Sequence, residues 1–65
     1  MSIDDEAQGL VAGTAAATLA ATCTPLGLLG LNPVWADQQA AHYRPGCWTF
    51  GYWVGFATEA RRLLS

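Results

Sequence analysis

"GLVAGTAAATLAATCTPLGLLGL", Gly9 to Leu31, is the stretch on which the reading of this chain turns. It can be a membrane span, a signal peptide or the core helix of a small domain. It lies in an uncharged run from Ala7 to Ala36, 30 residues bounded by Glu6 and Asp37. An α-helix needs about 20 predominantly apolar residues to cross the hydrocarbon of a bilayer, so length permits a span. The apolar character is middling. Leu10, Val11, Leu19, Leu26, Leu28, Leu29 and Leu31 are strongly apolar, but Ala, Gly and Thr make up most of the remainder. Alone, such a helix inserts marginally; packed against other helices it is at ease in lipid.

Its small residues point to that packing. Gly9, Gly13, Ala17 and Ala21 recur every fourth position and form one narrow ridge along a helix. A ridge of this kind lets two backbones approach closely, which is how helices associate where burial from water no longer drives them. Thr14 and Thr18 flank it, placed to hydrogen-bond across an interface. The same spacing returns in "GYWVG", Gly51 to Gly55. A single Gly-x-x-x-Gly is a weak signal, and Ala-rich helices produce such spacings by chance. Two in one short chain favour packing.

The signal-peptide reading fails on charge and length. "VWA" before Asp37 has the small residues of a cleavage site. Yet the leading region, Asp4-Asp5-Glu6, is acidic where a signal peptide is basic, and the apolar run far exceeds the usual 7–15 residues or so. A lipoprotein reading through Cys23 fails similarly, because Thr22 stands where a small residue is wanted and no basic residue precedes it.

The wider composition narrows the function classes. With 65 residues there is room for one domain and a small core. Chains this short usually need a staple, a metal, a partner or a membrane to be stable. Of the residues 52% are hydrophobic and only 12% charged, against roughly 25% charged in an average domain. The net charge is −2, and the only cations are Arg44, Arg61 and Arg62. Three cations cannot track a phosphate backbone, which argues against nucleic acid as a partner.

The pattern along the chain predicts an all-α fold in three parts. Residues 2–31 form an acidic cap and one transmembrane helix, with Ser2 as N-cap and Thr24-Pro25 ending or kinking the helix because Pro25 has no N–H to donate. Residues 32–44 form a short polar helix, started by Asn32 as cap and Pro33 at the first helical position. Arg44-Pro45-Gly46 stops it. Residues 45–65 form an aromatic helix on which Trp48, Phe50, Tyr52, Trp53 and Phe56 point in all directions. A helix apolar all round is buried or lies in lipid. From Cys47 to Thr58 it is about half a span long, so it reads as interfacial or half-inserted; a second full span would bring Glu59 into the bilayer. Trp35, Trp48, Tyr52 and Trp53 are the expected interfacial anchors, with Arg61 and Arg62. All three arginines follow the first span, so the positive-inside rule places the C-terminus in the cytoplasm and the N-terminus outside.

Little in the chain points to chemistry. Cys23 and Cys47 are too far apart in sequence for a zinc pair, and a disulfide between them requires their helices to meet side by side. No nucleophile–base pair or phosphate loop is present, so no enzyme is expected. His42, beside Tyr43 and near Trp35 and Trp48, is the one candidate cofactor contact: a neutral imidazole there can ligate the metal of a chlorin or haem. A surface histidine next to Arg44 is the simpler reading. Any chlorin, haem or lipid that touches the chain is then expected to be held by neighbouring subunits.

The acidic start, the small-residue span and the aromatic tail resemble, in architecture and not in any motif, the accessory subunits of photosynthetic and respiratory membrane complexes. The resemblance implies a non-catalytic subunit that packs on other transmembrane subunits and on lipid. A membrane-active, bacteriocin-like peptide is the alternative, disfavoured because such peptides carry a cationic face. A small virion or oligomer-packing protein is the third reading. In all three the chain works with partners.

Overall fold

The computed structural model describes residues 3–23 and 31–65. Three helices account for most of them: α1 (Ile3–Cys23), α2 (Pro33–Ala40) and α3 (Trp48–Leu64), with no strand among the described residues. Ser2 and the Thr24-Pro25 kink expected from sequence lie outside the described residues.

Local chemistry accounts for the boundaries of α2 and α3. Asn32 is extended, and its Oδ1 accepts the Trp35 N–H at 2.9 Å while Pro33 occupies the first turn, as expected. After Ala40 the chain tightens through N–H groups of His42 and Tyr43 donating to Gln39 and Ala40 carbonyls, each at 3.1 Å. Arg44 to Cys47 then make a turn closed by the Cys47 N–H on the Arg44 carbonyl at 3.2 Å. Pro45 at its second position and Gly46 with φ +97° at its third are the pattern of a type II turn. Cys47 caps α3, its Sγ accepting the Phe50 N–H at 3.3 Å. Arg61 and Arg62 close α3 where cations suit the negative end of the helix dipole.

A methyl group added to Gly46 would meet nothing within 4 Å, so only its backbone conformation demands glycine. Gly46→Ala is therefore expected to destabilise by about 1–2 kcal/mol, the cost of a left-handed L-residue. D-alanine, introduced by chemical synthesis, should restore or exceed the native midpoint in urea. Destabilisation by both would show that the turn needs glycine for another reason.

The pairing of α1 with α3 organises the molecule. Glu6 lies level with Gly46 and Gly51, Gly9 with Trp48 and Tyr52, Gly13 with Tyr52 and Phe56, and Thr18 with Glu59. Both series rise together, so the two helices are parallel. Parallel neighbours need a long return connection, and residues 24–47 provide it. α2, within that return, packs on α3 and not along α1. The core is built mainly of small residues: Ala17, Ala36, Ala57 and Ala60 are completely or almost completely buried, Ala40 and Leu31 are buried beside them, and no large side chain among the described residues is fully buried. Apolar area is therefore a modest source of stability here, and backbone proximity replaces it.

The all-helical part of the expectation is what the structure shows. No described helix is long and apolar enough to cross a membrane. α1 has the length, 21 residues, but its Gly, Ala and Thr dilute its apolar character and it opens on acidic residues. The substitutions that let helices approach are those that weaken transfer into hydrocarbon. The aromatic helix, expected as interfacial or half-inserted, runs alongside α1, and the two meet through their glycines.

Candidate functional site

The four glycines singled out from sequence on α1 and α3 fall on one contact. Gly9, Gly13, Gly51 and Gly55 are all buried. A Cβ on Gly9 would overlap the Trp48 carbonyl, and one on Gly13 the Tyr52 carbonyl; from the other side, Cβ atoms on Gly51 and Gly55 would overlap the carbonyls of Glu6 and Leu10. The hydrogens that replace those Cβ atoms thus point at carbonyl oxygens of the facing helix, the geometry of Cα–H···O contacts. Ala17 continues the ridge fully buried, and Ala21 is half-buried at its end. The ridges of α1 and α3 occupy each other. Neither is left open on the surface.

A polar contact brackets the glycine interface at each end. Near the start of α1, Glu6 Oε1 accepts the Gly46 N–H at 2.7 Å, drawing the turn before α3 onto α1. Glu6 belongs to the acidic cluster that sequence reads as a solvated cap, and nothing local signals its role in binding a turn 40 residues away. Toward the other end, the Thr18 hydroxyl donates to Glu59 Oε2 at 2.7 Å. The Thr14 carbonyl, at 3.2 Å, is a longer alternative for the same hydrogen. Glu59 is buried on α3 and receives a fork from Arg62, Nε at 2.6 Å and Nη2 at 2.8 Å. The Arg62 hydrogen bonds first, then the Thr18 hydroxyl, hold the Glu59 carboxyl down at about 2 against the opposing effect of burial. The same pair raises the Arg62 pKa. Glu59, read from sequence as a liability in lipid, is therefore a neutralised interhelical acceptor.

The expected anchors divide between pairing and stacking. Arg61 makes an ion pair with Asp37, tying α3 to α2, and its hydrogen bonds to that carboxylate raise its pKa. Trp35 of α2 meets Trp53 edge to face at 5.2 Å. Trp53 in turn touches Tyr52 at 5.0 Å and Phe56 at 5.8 Å, and Trp48 stacks on Tyr52 at 5.4 Å. The aromatics form one continuous cluster over α2 and α3, with Trp35 and Trp48 exposed and Tyr52 and Trp53 half-buried. Offset and edge contacts of this kind add about 0.5–1.5 kcal/mol each beyond area burial.

His42 is exposed in the turn after α2, between Ala41 and Tyr43. Among the described residues no group of three His, Cys, Asp or Glu side chains gathers as a metal site would require. Cys23 and Cys47 are free thiols. Their helices do meet side by side, but parallel: Cys47 caps α3 near the level of Gly9, and Cys23 ends α1 about 20 Å further along at 1.5 Å per residue. A disulfide needs Cα atoms within roughly 7 Å, so this fold keeps them apart.

No protein-family model, curated protein or solved structure matches the chain.

Proposed function

We propose that the chain is a non-catalytic structural subunit that seats on apolar helices of a larger membrane complex, of the photosynthetic or respiratory kind. The observation that carries this reading is the outer face of α1. Val11 is 70% and Leu19 60% exposed there, and α1 carries no charge from Ala7 to Cys23. A helix facing water ordinarily presents charged and polar residues on its outer side. Thr14 and Thr22 also turn their hydroxyls back: Thr14 donates to the Leu10 carbonyl at 2.8 Å, and Thr22 to the Leu19 carbonyl at 3.1 Å. The face therefore offers a neighbour apolar contact and few free donors. In this reading the internal glycine contact makes the chain a preformed wedge, and the exposed Trp35, Tyr43 and Trp48 contribute contact with lipid or with neighbouring subunits. A chlorin or haem held by those subunits meets it at most at His42.

The test is co-purification from native membranes in mild detergent. Val11→Lys with Leu19→Lys changes two exposed positions, so helical content should be retained while co-purifying subunits fall at least tenfold. Release of the unaltered chain by an alkaline carbonate wash, or partners retained by the double variant, overturns the proposal.

A further inference from the structure

We draw no further inference here: the strongest candidate, the uncharged outer face of α1 around Val11, Ala15 and Leu19, belongs to the surface already proposed for docking, and nothing in the structure shows what covers it.

Discussion

Gly13→Ala is expected to cost about 3 kcal/mol or more, the upper range for overpacking, although the same change in an exposed helix stabilises by about 1 kcal/mol. The sign reverses because the added methyl group meets backbone. Its position coincides with the Tyr52 carbonyl, and the next nearest atoms, the Tyr52 carbonyl carbon and the Phe56 nitrogen, also belong to the main chain of α3. A flexible side chain can swing away; a helical carbonyl moves only with its helix. α1 and α3 must then separate along their length, and the core of small residues has little other apolar area to hold them. Ala15→Leu, on the exposed face of the same helix, is the control and should stay within about 0.5 kcal/mol. Urea titration followed by near-ultraviolet circular dichroism of the tryptophans reads both. An unchanged midpoint in Gly13→Ala would show that the helices do not pack this closely in solution.

The second large effect concerns acid. The Glu59 carboxyl is held at about 2 in the folded chain, from an ordinary value of 4.5. A carboxyl with a depressed folded value binds its proton more readily when the chain unfolds. Its contribution to stability is thus fully present above about 4.5 and declines as pH falls toward about 2. Protonation weakens the charge-assisted fork from Arg62 and the hydrogen bond from Thr18 together. Glu59→Gln should lower stability at neutral pH and flatten the dependence of the unfolding midpoint over that acid window. Because the Arg62 side chain is 67% exposed, added salt should reduce the difference. Carbon-detected titration of the Glu59 carboxyl by nuclear magnetic resonance gives a direct reading; a midpoint near 4.5 would remove the clamp from the account. Thr18→Val provides a second route, since it deletes one donor and leaves the ion pair. It should raise the Glu59 pKa only part of the way.

These two sites also show where legibility in the sequence stops. Asn32-Pro33 as a helix start, Arg44-Pro45-Gly46 as a turn and the arginines at the end of α3 are local signals, each set by bonds spanning a few residues. They were readable because the groups that satisfy each backbone donor or acceptor stand beside it in the chain. The ridges Gly9-Gly13-Ala17-Ala21 and Gly51-Gly55 were readable in part. Four-residue spacing in a helix places small residues in line, whatever they meet.

What the ridges meet was decided only by tertiary structure. A glycine stripe specifies close approach of a backbone, and the backbone of a partner is chemically the same as that of another helix in the same chain. Sequence therefore implied packing and a membrane span, while the fold directed one ridge onto the other and made them parallel. The roles of Glu6 and Glu59 depended on that choice. Their partners, Gly46 and Thr18, lie 40 and 41 residues away and come within hydrogen-bond reach only when α1 and α3 run side by side in one register. Helix type, caps and turns follow from the sequence alone because short-range sterics and hydrogen bonding determine them. The pairing, its direction and the neutralised carboxylate follow from the tertiary structure, because each requires chain segments whose meeting no local interaction encodes.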